Sequence, residues 1–182
     1  QKKYYRETQK SLQSADTKIV RARIGELKKT GNVHLFPLLL DLLKSDPDEE
    51  VKQDILTLLS DLRDQKCVPL IVDFINKNKQ NEVLADVLAS CWQSRLDFSQ
   101  HLNSFTDSFV SGSYQNALES FTVIEEMVWK VPEKDLQSVR LELMGRKEEI
   151  EETKKPLYHE LLALLKSGRT QNQEDYPGLY TE

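Results

Sequence analysis

The sequence predicts an all-α fold, and within that class a short α-solenoid of stacked helix pairs. The first observation is that branched aliphatic residues recur every 32 positions, at Ile19, Val51 and Val83. The second is that Pro37 and Pro69, each near the start of a helical pattern, share this step. Fixed periods of about 20–50 residues mark supersecondary units that cannot bury an apolar face alone and therefore stack. Two further triplets follow the period: Ile24, Leu56 and Leu88, and Leu38, Leu70 and Leu102.

The sequence predicts the first helix only weakly and the second helix clearly. Residues 1–15 are expected to form an N-terminal capping helix or partial repeat. A helix over residues 16–29 begins at Asp16 or Thr17, either of which can cap it, and Gly31 ends it. Its expected core face is formed by Ile19, Ile24 and Leu27 with the aliphatic stem of Arg23.

Two helix pairs follow on the same plan. In the first pair, residues 35–43 form a helix that tolerates Pro37 in its first turn. After the turn, Asp48 caps the next helix or lies in its first turn, and its core stripe follows the helical period. That stripe is Val51, Ile55, Leu58, Leu59 and Leu62. The second pair comprises helices over 68–75 and 83–91 with a turn over 76–81.

The remaining elements depart from the repeat. A third, degraded pair covers about 98–128, with Asn103 and Asp107 in place of aliphatic residues. Its second helix is expected to bury Ala117, Leu118, Phe121, Ile124 and Val128. Residues 131–167 are expected to form C-terminal capping helices, one running from Pro132 to about Glu152 and one opened by Pro156.

Residues 168–182 read as a polar tail with a turn at Tyr176-Pro177-Gly178. We expect this tail to be loosely held unless Tyr176, Leu179 and Tyr180 dock on the body. The repeats proper are then confined to residues 16–130, inside a single helical-repeat domain over residues 1–167.

Composition narrows the function classes. The chain has 182 residues with 25 Lys and Arg against 30 Asp and Glu, a formal net charge of −5. A net acidic balance argues against the many phosphate contacts that nucleic-acid binding requires. Cys67 and Cys91 lie in apolar helical patterns and are expected to be buried thiols rather than a disulfide.

Nothing in the sequence predicts a membrane partner. No apolar run approaches the roughly 20 residues that a spanning helix needs, and no signal-peptide core follows the first residue. A cytoplasmic location is therefore the default expectation. Because Gln1 is not an initiator methionine, the removal of a leader or of further preceding sequence stays open.

One stretch carries a family signature. Its parts are Phe36-Pro37-Leu38-Leu39, Leu42-Leu43, and Asp46-Pro47-Asp48 followed by Val51-Lys52. Residues 35–62 thereby resemble a HEAT repeat, an antiparallel helix pair of armadillo-like solenoids, and the flanking units match more weakly. The resemblance implies a right-handed α–α superhelix whose second helices line a concave surface where partners lie. It carries no activity with it.

The sequence shows no pattern for catalysis or metal binding. His34, His101 and His159 are scattered, and neither cysteine has another within four residues. The glutamates at residues 148, 149, 151 and 152 lie beside basic residues at 146, 147, 154 and 155, as on a solvated helix face with i,i+4 ion pairs. We therefore expect a non-enzymatic protein with no catalytic residues, no metal and no cofactor.

The candidate partner-binding surface is the face of the second helices opposite their core stripe. At about 100° per residue, that face holds Gln53, Thr57 and Ser60 in the clearest unit. A step of 32 residues adds Arg21, Gly25 and Lys28 on one side and Ala89 and Trp92 on the other. Gly25, Thr57 and Ala89 would form a row of small residues that a helix or extended peptide could approach. Trp92 would be its aromatic anchor, with Arg21 and Lys28 available to acidic residues.

The alternative interpretation of this face is structural, with small residues permitting tight curvature and Trp92 packed against the third unit. The leading functional hypothesis is an interaction scaffold that binds a protein or peptide on its concave surface. One alternative is a nucleic-acid-related module, because some HEAT-like solenoids, such as alkylpurine DNA glycosylases, cradle DNA; it would need a continuous basic stripe. Another is a structural or regulatory domain of a larger polypeptide. The partner's identity and the oligomeric state stay open.

Overall fold

A computed structural model describes residues 1–168 of the chain. The predicted all-α class is confirmed, since this part contains ten α-helices and no strand. Within it, none of the helices combines the length and the apolar character that crossing a bilayer requires. The chain divides into two compact units, residues 1–96 and residues from 97 onward. The single domain over 1–167 stays a prediction, and the predicted tail over 168–182 lies, apart from Gly168, outside the described residues.

The first unit consists of six helices in two rows. They are α1 (Lys2–Leu12), α2 (Thr17–Thr30), α3 (Phe36–Lys44), α4 (Glu49–Ser60), α5 (Val68–Lys77) and α6 (Leu84–Gln93). Consecutive helices pack as the pairs α1 with α2, α3 with α4, and α5 with α6. In addition, α2, α4 and α6 pack side by side in series, and so do α1, α3 and α5. The second helix of each pair therefore lies beside the second helix of the next.

Local signals place the ends of these helices where the sequence predicts them. The Asp16 carboxylate accepts a hydrogen bond from the Lys18 backbone N–H at 2.9 Å and so caps α2. Gly31 ends α2 with a φ of 58°, in the left-handed region that glycine enters without steric cost. Pro37 and Pro69 lie in the first turns of α3 and α5, where no helical hydrogen bond from proline is required.

One predicted core position in α2 is wrong. Ile19 is 48% exposed, and Val20 is buried instead, together with Ile24 and Leu27. Once Asp16 fixes the start of the helix, residues 20, 24 and 27 form one stripe and residue 19 lies about 100° away from it. Val51 is buried as predicted, so the 32-residue step between Ile19 and Val51 does not join equivalent core positions.

Between residues 97 and 168, the second unit contains four α-helices, each packed on two of the others. They are α7 (Leu102–Ser111), α8 (Tyr114–Met127), α9 (Glu133–Gly145) and α10 (Lys155–Ser167). Both α7 and α10 pack on α8 and on α9. The helix predicted to run to about Glu152 is wrong in length, since α9 ends at Gly145 and Ile150 turns into the core. Leu118, predicted to be buried, is exposed because the buried stripe of α8 runs through Ala117, Ser120 and Ile124.

A buried lysine joins α10 to α7 in this unit. Lys154 is 1% exposed, and its Nζ donates hydrogen bonds to the carbonyls of Val110 and Gly112 at 2.8 Å and of Phe109 at 3.2 Å. The last carbonyls of a helix have no partner within it, so this ammonium group caps the end of α7. Burial lowers the pKa of Lys154.

Candidate protein-interaction surface

The predicted site residues lie on α2, α4 and α6, and polar contacts show how α2 and α4 are aligned. Arg21 Nε lies 2.7 Å from Asp54 Oδ2, and Lys28 Nζ lies 2.9 Å from Asp61 Oδ2. Each contact joins residues 33 positions apart in the sequence. Because the offset is the same at both ends, α2 and α4 run in the same direction.

A second pair of contacts aligns α4 with α6. Lys52 Nζ lies 3.1 Å from Asp86 Oδ2, and the Ser60 hydroxyl lies 2.9 Å from Gln93 Oε1. These helices therefore also run in the same direction. We call the four contacts Arg21–Asp54, Lys28–Asp61, Lys52–Asp86 and Ser60–Gln93 the polar ladder.

The polar ladder supplies counterions to the basic side chains that the sequence suggests as contacts for a partner. The hydrogen bond to Asp54 raises the pKa of Arg21, and Glu50 lies a further 3.3 Å from the same guanidinium group. The hydrogen bond to Asp86 raises the pKa of Lys52. Both residues are therefore fully charged at neutral pH, with carboxylates of the neighbouring helix as their counterions. Lys28 is matched in the same way by Asp61.

The row of small residues lies between the rungs of this ladder. Gly25 falls between Arg21 and Lys28 on α2, and Thr57 falls between Asp54 and Asp61 on α4. Gly25 and Thr57 are exposed and Ala89 is half-buried. Apart from its chain neighbours and the adjacent backbone of α2, no atom lies within 4 Å of the position that a Cβ on Gly25 would take. The row is thus an open strip bordered by ion pairs.

Trp92 lies at one end of this strip. It follows Ala89 by three residues on α6, beside the Ser60–Gln93 rung, and 37% of it is exposed. Gln53 is engaged within α4, where its Nε2 donates to Glu49 Oε1 at 2.9 Å. The structure therefore places all eight predicted residues on three neighbouring helices. It leaves Gly25, Thr57, Ala89 and Trp92 as their accessible small and aromatic members.

Sequence reasoning does not identify the carboxylates that pair with the cations. Asp54 and Asp86 belong to the second helix of the next pair, and Asp61 directly follows such a helix. The detectable signal is a basic residue followed by an acidic one 33 positions later for Arg21 and Lys28 and 34 positions later for Lys52, one or two residues longer than the step that aligns the units.

The two cysteine thiols lie in the core. Cys67 and Cys91 are free thiols and both are buried. Burial raises the pKa of Cys67 to about 11 and raises the pKa of Cys91 as well, so both thiols are protonated at neutral pH. Among residues 1–168, no group of three or more His, Cys, Asp or Glu side chains is placed to hold a metal ion.

Comparison of the chain with protein-family models, with curated proteins and with solved structures gives no significant match.

Proposed function

We propose that this chain is a helical-repeat scaffold of HEAT-like, armadillo-like architecture that binds a protein or peptide on the face of α2, α4 and α6. The observation that carries the proposal is the accessible row of Gly25, Thr57 and Ala89 with Trp92 at its end. Three helices that run in the same direction and pack in series are the arrangement expected for the second helices of stacked pairs.

The surface suits close approach by a helix or an extended peptide. Small side chains let another backbone lie near the helix axes, and a partly exposed tryptophan offers a large apolar contact at low entropic cost. The polar ladder holds neighbouring helices at a fixed register. A partner would therefore bind a surface that is already ordered, which reduces the entropic cost of association.

A binding role fits these side chains better than a catalytic one. The two thiols are buried and protonated, and the ammonium group of Lys154 caps a helix. Nucleic-acid binding needs a continuous row of free cations. On this face Arg21, Lys28 and Lys52 each contact a carboxylate, which favours a protein or peptide over a nucleic acid.

The test is partner capture with matched tryptophan variants. The wild-type protein, Trp92→Ala and Trp129→Ala are immobilised in parallel, incubated with a cell extract, and the retained proteins are quantified by mass spectrometry. Trp129 is the control because it is 68% exposed and lies in the second unit. Circular dichroism verifies that all three proteins are folded.

We expect a protein that is retained by the wild type and by Trp129→Ala and lost from Trp92→Ala. Truncation of an interface tryptophan at a binding hot spot typically costs at least about 2 kcal/mol, a factor of about 30 in affinity. Equal retention by all three proteins would show that the α2–α4–α6 face is not the binding surface.

A further inference from the structure

The first unit contains a recess that is separate from the α2–α4–α6 face and is formed by residues that take no part in the polar ladder. It has a volume of about 490 Å³ and lies between the α1–α2 turn and the α3–α4 turn. Pockets of about 300–1,000 Å³ are the usual size of sites that enclose a bound ligand. Its apolar lining includes Leu12, Val20, Leu38 and Val51, with Leu42 and Pro47 nearer the opening.

The polar lining of this recess, which we call the turn cleft, is acidic. Three carboxylates border it, from Asp41, Asp46 and Asp48, and none of its lining residues is Lys, Arg or His. Asp48 precedes α4 without capping it, and its Oδ2 instead accepts a hydrogen bond from the Thr17 hydroxyl at 2.9 Å. The cleft therefore has an apolar floor and a negatively charged rim.

The carboxylates of the turn cleft differ from those of the polar ladder in how they are neutralised. Within residues 1–168, the carboxylates of Asp41 and Asp46 make no hydrogen bond or ion pair. The charge of Asp46 helps to raise the pKa of Lys52, but the ammonium group of Lys52 contacts Asp86 and not Asp46. Asp54, Asp61 and Asp86 each contact a cation directly. The turn cleft is thus a place where this unit has negative charge without a matched counterion.

We propose that the turn cleft binds a basic peptide segment, with a Lys or Arg side chain inserted between α1 and α3. The aliphatic stem of such a side chain would lie on Leu12, Leu38 and Leu42, and its cationic end would reach Asp41 and Asp46. Lys and Arg are suited to this geometry because they bury their methylene groups while the charged end stays near solvent or carboxylates. The inference goes beyond the proposed function, since it concerns other residues and a partner of defined charge.

The experiment uses the full chain and a defined probe. The probe is a fluorescently labelled synthetic peptide with two arginines and two lysines flanked by glycines, and binding is followed by fluorescence anisotropy at low and at moderate ionic strength. The test variant is Asp41→Asn with Asp46→Asn. Asparagine is chosen because Asp46 has a φ of 56°, a left-handed conformation that Asn tolerates.

A charge-matched variant separates the turn cleft from general attraction to an acidic protein. Asp73→Asn with Glu82→Gln removes the same charge from positions elsewhere in the first unit, outside the cleft lining. We expect the Kd to rise about tenfold in the Asp41/Asp46 variant, as for the loss of two surface ion pairs, and to change less than about twofold in the control. Equal weakening in both variants would overturn the proposal, because it would show non-specific attraction.

Two further measurements complete the test. In the wild type, a ¹⁵N NMR titration with the peptide is expected to shift the amide signals of residues 9–17 and 41–51, and shifts confined to the α2–α4–α6 face would overturn the assignment. Spermidine serves as a free polyamine. If it binds as tightly as the peptide with the same dependence on Asp41 and Asp46, the peptide is not the ligand class. Trp92→Ala should leave peptide binding unchanged, so this result is separable from the fate of the proposed scaffold surface.

Discussion

Replacing Gly25 with alanine should stabilise the protein. Gly25 lies in the interior of α2, which spans Thr17–Thr30, and it is exposed. Alanine is favoured over glycine in a helix interior by about 0.5–1 kcal/mol, because the unfolded chain loses less conformational entropy on folding. Apart from its chain neighbours and the adjacent backbone of α2, no atom lies within 4 Å of the new Cβ, so the substitution adds neither a clash nor a packing contact with another part of the protein. The backbone effect is therefore the whole effect, and we expect Gly25→Ala to raise the free energy of unfolding by about 0.5–1 kcal/mol.

The same substitution at the end of the same helix is the control. Gly31 also has no atom within 4 Å of the position that its Cβ would take, but its φ is 58°. An alanine held in the left-handed region costs about 1–2 kcal/mol, so Gly31→Ala should lower the free energy of unfolding. Urea denaturation followed by far-UV circular dichroism measures both changes. Shifts of the same sign in the two variants would refute the assignment of residue 25 to a helix interior and residue 31 to its cap.

Gly25→Ala also separates stability from binding. If a partner lies against the row of Gly25, Thr57 and Ala89, a methyl group at residue 25 intrudes on that contact. We then expect a variant that is more stable than the wild type and binds its partner more weakly. Misfolding cannot explain such a combination, whereas a steric contact at the surface can. Unchanged affinity would place the partner away from α2.

Three further outcomes follow from single contacts. Lys154→Met should lower the free energy of unfolding by about 2–4 kcal/mol, since the α7 carbonyls lose a charged donor. Lys155→Met, at the next and more exposed position, should change it by less than about 0.5 kcal/mol. Urea denaturation measures both changes. In the folded protein, burial raises the pKa of Cys67 to about 11. The protonated thiol therefore makes its full contribution to the free energy of unfolding below pH 9, and this contribution is lost between pH 9 and 11. The loss reaches about 3 kcal/mol, relative to Cys67→Val, in pH-dependent unfolding. A double-mutant cycle on Lys28 and Asp61 should give a coupling of about 0.2–1 kcal/mol that shrinks in about 1 M salt; an unchanged coupling would contradict a solvent-exposed ion pair.

The parts of the fold that local chemistry determines can be predicted from the sequence. Asp16 caps α2 and Gly31 ends it because each acts on backbone groups within a few residues. The prolines at residues 37 and 69 mark helix starts for the same reason. The 32-residue spacing to Val51 predicts a core position for Ile19, and that prediction fails. The step between adjacent units is not constant to one residue, and an error of one residue turns a side chain by about 100°.

The details of the candidate surface depend on contacts that no local pattern encodes. Helical periodicity identifies the face that carries Arg21 and Lys28, but their partners depend on the lateral register of α2 against α4. Lys154 lies in a charged stretch that reads as solvated, and it is buried because the end of α7 comes to lie beside it. An isolated charged group is too costly to bury. The burial of Lys154 therefore depends on carbonyl partners from a distant part of the sequence, which no local pattern reveals.

The polar ladder acts more on the register of the helices than on their stability. An exposed ion pair contributes at most about 1 kcal/mol, so the first unit does not depend on any one rung. A slip of one residue between α2 and α4, however, would separate Arg21 from Asp54 and Lys28 from Asp61 at once. The same slip would turn Gly25 away from Thr57 and break the row of small residues. Charges that the sequence alone would assign to recognition thus hold the surface in register. In the proposed function recognition falls to the uncharged residues between the rungs, and in the further proposal to the unmatched carboxylates of the turn cleft.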